Sequence, residues 1–161
     1  MAEVKIDISN QAITAAFDKL LQLGQNPVPA LEGIGRSMQT NIQLGFRTST
    51  SPYGQKWEPL KHRSGKPLVD KGHLQNSISY RLVGNAVEIG TNMLYAKLQQ
   101  FGGVIKPKNK QALFFMLGDK KVFARQVTIP ARPFLPTDGL PASWADDAAD
   151  AVMDVIKRQI D

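Results

Sequence analysis

The stretch that decides the fold is residues 26–46, which reads NPVPALEGIGRSMQTNIQLGF. Asn26 and Pro27 are typical of a helix start, because asparagine caps free amide groups and proline fits the first helical turn. Apolar side chains then recur every three or four residues, at Leu31, Ile34, Met38, Ile42 and Phe46. This spacing puts them on one face, so the sequence predicts a long amphipathic helix that covers a core.

The residues before this helix predict a strand and a further helix. Val4, Ile6 and Ile8 alternate with polar residues, as in a strand with one buried face. Residues 11–23 carry an apolar stripe between Asn10, a capping residue, and a glycine suited to closing a helix. Two N-terminal helices are therefore predicted.

The second half of the chain predicts two hairpins and two helices. Each hairpin has two apolar segments around a turn, at residues 77–83 and 87–89 and at residues 112–117 and 122–129. We expect both hairpins to share one sheet. A short helix is predicted at residues 93–101, with Leu94, Leu98 and Phe101 on one side. A long helix is predicted from about Ser143, which can cap it, to Ile156. The fold class is α+β, an antiparallel β-sheet with two N-terminal helices and a C-terminal helix packed against it.

Residues 48–72 lack apolar periodicity and are rich in Ser, Thr, Pro, Gly and Lys. Loops of this length are usually functional or disordered. Tyr53, Trp57 and Leu60 argue against disorder, because a solvated segment has little use for large apolar side chains. We therefore expect a long loop that becomes ordered on a partner, within a single domain spanning residues 1–161.

The composition excludes several classes of protein. The 161 residues contain no cysteine, which excludes thiolate metal sites and a cysteine nucleophile and favours a reducing compartment. The longest apolar run, residues 112–117, is far shorter than the roughly 20 residues of a membrane-spanning helix, so no membrane contact is expected.

Candidate catalytic groups are sparse. His62 and His73 have no metal-ligand spacing, and neither a GxSxG elbow nor a phosphate-binding GxxxxGK[ST] loop is present. An acidic helical face leaves a metal-dependent hydrolase open as an alternative, although aspartates there also favour the helix dipole: Asp146, Asp147, Asp150 and Asp154. We expect no enzymatic activity, no metal and no cofactor.

Charge is distributed unevenly along the chain. Residues 97–125 contain seven basic residues and one acidic residue, whereas residues 137–161 contain six acidic and two basic ones. Such asymmetry favours a polyanionic partner or complementary contact between copies. Lys106, Lys108 and Lys110 are candidates for contact with phosphates, and lysines that keep a strand edge soluble are the alternative. For the aromatic residues of the second predicted hairpin, core packing is a better account than stacking on the bases of a single strand: Phe114, Phe115 and Phe123.

Several motifs in order resemble one known family. Residues 51–60, SPYGQKWEPL, resemble the SPxGxxWxPL signature of the phage virion morphogenesis proteins, the tail-completion family of contractile-tailed phages of the Mu and P2 type. Four further pieces follow in the family's order: Gly72 to Ile78, Val87 to Asn92, Gln100-Phe101-Gly102 and Ile129 to Leu135, which reads IPARPFL. The resemblance covers about residues 4–158. Lys71, Gln99 and Pro136 depart from residues usual in the family.

The resemblance implies a late structural protein of the head–tail junction. It would be made in the host bacterial cytoplasm, assemble with neck, tail-terminator or head-connector proteins, and form a ring of identical copies around the path of the DNA. Tyr53, Trp57, Arg132 and Phe134 are the candidate interface residues, since they lie on braced segments that suit contact with a neighbour. For Trp57, a plug on the protein's own core is the alternative. Lys106, Lys108 and Lys110 are expected to face the DNA. The rival function is sequence-independent nucleic-acid binding.

Overall fold

The computed structural model describes residue 22 and residues 24–160. The predicted strand at residues 4–8 and nearly all of the predicted helix at residues 11–23 lie outside the described residues. The predicted long helix is confirmed as α1, Val28–Thr48. Its N-cap is Pro27 rather than the predicted Asn26, which lies one residue earlier and accepts a hydrogen bond from the Val28 amide over 3.3 Å. Its last turn closes at Ser49, which adopts a left-handed conformation with φ 56°.

One short helix and two strands follow α1 and the long loop. A single helical turn, α2 (His73–Asn76), leads into the antiparallel hairpin of β1 (Ser79–Val83) and β2 (Ala86–Gly90). Glutamines of α1 hold this region, because Gln39 Nε2 donates to the Ile78 carbonyl and Gln43 Nε2 to the Gln75 carbonyl, each over 2.7 Å. The first predicted hairpin is thereby confirmed.

The next helix is shorter than predicted, since α3 spans Ala96–Phe101. Leu94 and Phe101, which the spacing places on one side of the predicted helix, are both exposed, with exposed fractions of 100% and 63%, and Leu94 lies before the helix begins. Ala96 and Gln100 face inward instead. A polar side chain takes the inner position because its amide pairs with buried backbone groups, as described below.

The remaining strands form two further pairs. β3 (Gly103–Ile105) pairs with β6 (Val127–Ile129), and β4 (Leu113–Leu117) pairs with β5 (Lys120–Ala124), both antiparallel. The expectation of one shared sheet is therefore wrong for the described residues, where three separate two-stranded sheets occur. The second predicted hairpin divides because its last residues leave β5 and pair with β3.

The C-terminal helix is confirmed as α4, Ala142–Ile160, and it packs along α1. Ser143 lies inside its first turn rather than before it. Asn41 Nδ2 of α1 donates to Asp147 Oδ2 of α4 over 2.8 Å. The two helices also approach closely at Gly33, where an added Cβ would lie 3.4 Å from the Ala151 carbonyl oxygen. The core lies beneath α1 and contains no buried residue from β3 to β6: its described members are Met38, Ile42, Phe46, Trp57, Leu74, Ile78, Ala96, Phe134 and Trp144.

Candidate functional site

Three aromatic side chains join the motifs that the sequence analysis singled out. Phe46 lies at the end of α1, and its ring centroid is 5.6 Å from those of both Trp57 and Phe134. All three side chains are buried. Trp57 Nε1 also donates to the Pro133 carbonyl over 2.8 Å, so its one polar group is paired. Trp57 is therefore a plug on the protein's own core, and Phe134 is part of the same cluster.

Arg132 is directed toward its own chain as well. Only 7% of the residue is exposed. Its Nε donates to the Glu58 carbonyl over 2.9 Å and Nη2 donates to the Pro59 carbonyl over 3.4 Å. Burial lowers the pKa of the guanidinium, while the Glu58 carboxylate partly opposes that effect and Arg63 adds to it. The guanidinium thus holds the loop in place by two carbonyl groups instead of extending from the surface.

The loop at residues 48–72 has its own internal contacts. Thr50 and Lys56 form an isolated antiparallel bridge, and the Trp57 amide donates to the Ser49 carbonyl over 2.9 Å. Lys66 Nζ donates to the Arg47 carbonyl over 2.7 Å at the end of α1. The expectation that this loop becomes ordered only on a partner therefore has to be corrected, because Trp57 and Arg132 bind it to the chain's own core.

Gln100 belongs to one of the family motifs but was not among the candidate site residues, and it links that motif to the segment of Phe134. Its Oε1 accepts hydrogen bonds from the Phe134 amide over 2.9 Å and the Leu135 amide over 3.0 Å. Its Nε2 donates to the Leu135 carbonyl over 2.8 Å. Gln100 is buried, so these bonds satisfy three backbone groups of the segment that carries Phe134. The available signal was its place in the Gln100-Phe101-Gly102 piece of the family resemblance.

Tyr53 makes a second polar contact with the C-terminal part of the chain. Its hydroxyl donates to the Gly139 carbonyl over 2.8 Å and accepts from the amides of Thr137, over 3.0 Å, and Asp138, over 2.7 Å. The ring is partly exposed. Tyr53 thus fixes the turn that leads into α4, and one side of its ring stays on the surface.

The three candidate lysines lie apart from this motif cluster. Lys106, Lys108 and Lys110 are exposed in the segment between β3 and β4. In the part of the chain that the structure describes, none of them forms an ion pair. Their charge is therefore available to an external anion, which is the arrangement the DNA-facing prediction requires.

The hairpin of β4 and β5 presents an apolar face to solvent. Phe114 and Phe123 are directly opposite each other in the register, with ring centroids 5.2 Å apart and exposed fractions of 56% and 70%. Met116 is also exposed. Core packing of Phe114 and Phe123 was therefore a wrong expectation. Alternate residues of a strand point to opposite faces, and the half-buried Phe115 occupies the inner one.

The histidines and aspartates considered for metal chemistry do not come together as a set of metal ligands in the described part of the chain. No group of three or more His, Asp or Glu side chains that could hold a metal ion occurs among residues 24–160. Asp147 is engaged by Asn41, and both His62 and His73 are exposed. The described helices also include none that is long and apolar enough to span a membrane.

Comparisons with known proteins identify the family of the chain. The model of the phage virion morphogenesis family matches residues 8–161. The chain is also 35% identical over 133 residues to "Mu-like prophage FluMu G protein 2" of Haemophilus influenzae, a match that covers 82% of this chain and 83% of that protein. No solved structure is significantly similar to the chain. The segments that meet around Phe46 are those that carry the family resemblance, and the chain belongs to the phage virion morphogenesis family.

Proposed function

We propose that this protein is a non-enzymatic structural component of the phage head–tail junction, where identical copies form a ring that completes the tail. Its family gives it a role in phage virion assembly. The relative named as a Mu-like prophage protein supports an origin in a contractile-tailed phage or prophage. The partners in this proposal are other copies of the chain and the neck, tail-terminator or head-connector proteins.

The observation that carries the proposal is the exposed apolar face of the β4–β5 hairpin. Phe114, Met116 and Phe123 lie together on this face, which the described residues leave uncovered. Contiguous exposed apolar patches on small proteins mark interaction sites. Because aromatic side chains and methionine are enriched at protein interfaces, the hairpin is well suited to contact a neighbouring subunit.

The candidate interface residues take a different role in this proposal. Trp57, Arg132 and Phe134 are buried in their own chain, so they do not offer a surface to a neighbouring subunit. Tyr53 keeps an exposed ring edge and can touch a neighbour directly. The hairpin is therefore the better place to test the assembly contact.

The test is a double substitution, Phe114→Ser with Phe123→Ser, with Leu94→Ser as the matched control. Leu94 is fully exposed, but it is not part of the hairpin. Particles assembled with the double variant should accumulate as separate heads and tails in electron micrographs, whereas the control should give joined particles. Joined particles at the parental yield from a folded double variant would refute the proposal.

A second candidate function, sequence-independent nucleic-acid binding, is favoured by the exposed lysines Lys106, Lys108 and Lys110, which form no ion pair with the described residues. Exposed lysines contact phosphates through electrostatics that carry no sequence preference. Tight binding of the free protein to short duplexes at physiological salt would favour this function over assembly. Binding that appears only in assembled particles would favour the ring.

A further inference from the structure

A cavity of about 390 Å³ lies beside Arg132, between the end of the long loop and the strand β6. Its walls include the apolar side chains of Leu60, Leu68 and Ile129. Its charged lining is mostly basic, with Arg63, Lys71 and Arg132, and the one carboxylate that borders it belongs to the exposed Asp70. A cavity with apolar walls and a cationic surface suits a ligand that has an apolar stem and an anionic end.

Arg132 has no ion-pair partner in the part of the chain that the structure describes. Among the described residues no carboxylate lies within 4 Å of it, and the nearby Glu58 carboxylate forms an ion pair with Lys61 over 2.9 Å. The carbonyls of Glu58 and Pro59 accept from Nε and Nη2, which leaves Nη1 without a hydrogen-bond partner in the described part of the chain. Buried charges in proteins are normally paired, so this guanidinium is suited to bind an anion from outside the described chain.

The depth of Arg132 decides which anion can reach it. A phosphate of duplex DNA is held on a broad, rigid backbone, whereas the carboxylate of an acidic side chain stands at the end of a narrow apolar stem. A guanidinium also binds a carboxylate through two parallel hydrogen bonds. We propose that the cavity at Arg132 is a binding site for an aspartate or glutamate side chain presented by another polypeptide of the virion. The site stands on these contacts, and the ring proposal is a separate claim.

Sodium propionate is the direct probe, because it combines a carboxylate with a short apolar stem. Added in place of sodium chloride at constant ionic strength, it should cause saturable shifts of the Arg132 Nε–Hε resonance and of the Leu60 methyl resonances. Inorganic phosphate should shift them less. No saturable shift with propionate, or an equal response to phosphate, would overturn the proposal.

A carboxylate introduced by substitution at the cavity provides a second test, which leaves Arg132 in place. Gln99 lines the cavity, and its backbone carbonyl accepts from the Arg132 amide over 2.8 Å. Gln99→Glu places a carboxylate of the same shape there, and Gln55→Glu makes the same change at an exposed site. In the cavity variant we expect the glutamate pKa to lie below its ordinary value, the midpoint of thermal unfolding at pH 7 to rise, and propionate binding to be lost.

The sign of the glutamate pKa shift is decisive. A lowered pKa with a raised unfolding midpoint supports an anion site, since the ionised form is favoured in the folded state. A raised pKa with a lowered midpoint would mean that the cavity rejects a carboxylate, and it would overturn the proposal. Sedimentation of the parent protein with and without propionate identifies the source of the acid. Propionate weakens self-association if the acid comes from a second copy, and leaves it unchanged if the acid comes from a different virion protein.

Discussion

Gly102 is the residue at which backbone geometry most restricts the sequence. It adopts φ 69°, and an added Cβ would lie 2.7 Å from the Ala131 nitrogen and 2.9 Å from the Ile129 oxygen. Both atoms belong to backbone, which cannot move aside as a flexible side chain would. The glycine therefore lets the end of α3 lie directly against the segment that contains Arg132.

Gly102→Ala is expected to destabilise the fold by about 3 kcal/mol, because φ 69° with ψ −177° is a conformation that essentially only glycine adopts and because the added Cβ would overpack the neighbouring backbone. Gly84→Ala is the matched control, because Gly84 has φ 57° but no atom within 4 Å of an added Cβ. It should cost only about 1 kcal/mol. Urea unfolding of the two variants measures the difference, and equal losses would show that the close approach at Gly102 has no energetic weight.

Gln100 gives a second prediction at this scale. Gln100→Leu keeps the volume but leaves the amides of Phe134 and Leu135 and one carbonyl without partners, which should cost about 3 kcal/mol. Gln99→Leu, at the half-buried neighbour whose side chain makes no hydrogen bond in the described part of the chain, should be nearly neutral. Unfolding midpoints in urea compare them. Similar stability of the two variants would contradict the role assigned to the Gln100 amide.

At the scale of elements, the long loop divides into a held part and an exposed part. Ser51 and Trp57 donate their backbone amides to the carbonyls of Gln55 and Ser49, over 2.7 Å and 2.9 Å. Residues 61–65 are exposed. In native-state hydrogen exchange of the free protein we expect the Ser51 and Trp57 amides to be protected and those of residues 61–65 to exchange rapidly. Uniformly rapid exchange from residue 50 to residue 65 would mean that the loop is held only by a partner.

The elements differ in how far their sequences predict them. α1 and α4 are long and strongly periodic, so their existence and their buried faces follow from spacing alone. The pairing of β3 with β6 does not follow, because it joins segments 24 residues apart through backbone bonds that carry no side-chain signature. The outward direction of Phe114 is equally hidden, since both faces of its strand are apolar.

The sequence predicts which residues belong to the candidate site but not how they are arranged. The motifs mark Tyr53, Trp57, Arg132 and Phe134, and the structure brings their segments together around Phe46. Their hydrogen bonds go to backbone carbonyls and amides of other segments, which any residue can supply. For that reason the sequence alone could not separate a core role from an interface role.

For the whole molecule, the lysines between β3 and β4 give a prediction about DNA. If Lys106, Lys108 and Lys110 face the DNA path of a ring, changing all three to Gln removes up to three phosphate contacts per copy. Folding and ring formation should persist, while particles with the triple variant should retain or eject DNA at an altered rate. A matched control changes Lys97, Lys120 and Lys121 to Gln, which removes equal charge elsewhere on the basic region.

Two results would contradict this prediction. Unchanged DNA retention and ejection in normal particles would show that the three lysines lie away from the DNA. Loss of head–tail joining, with unaltered DNA behaviour in the particles that remain, would show that they contact an acidic protein surface instead.

The long-range hydrogen bonds of the loop also determine when, during synthesis, it can reach its native structure. Trp57 forms a hydrogen bond with Pro133, and Tyr53 forms hydrogen bonds with residues 137–139, so their partners leave the ribosome about 80 residues later. At roughly 5–20 residues per second, the tryptophan waits several seconds without its partner. A chain that stops before Pro133 leaves this indole uncovered, which makes truncated translation products of this protein prone to aggregation.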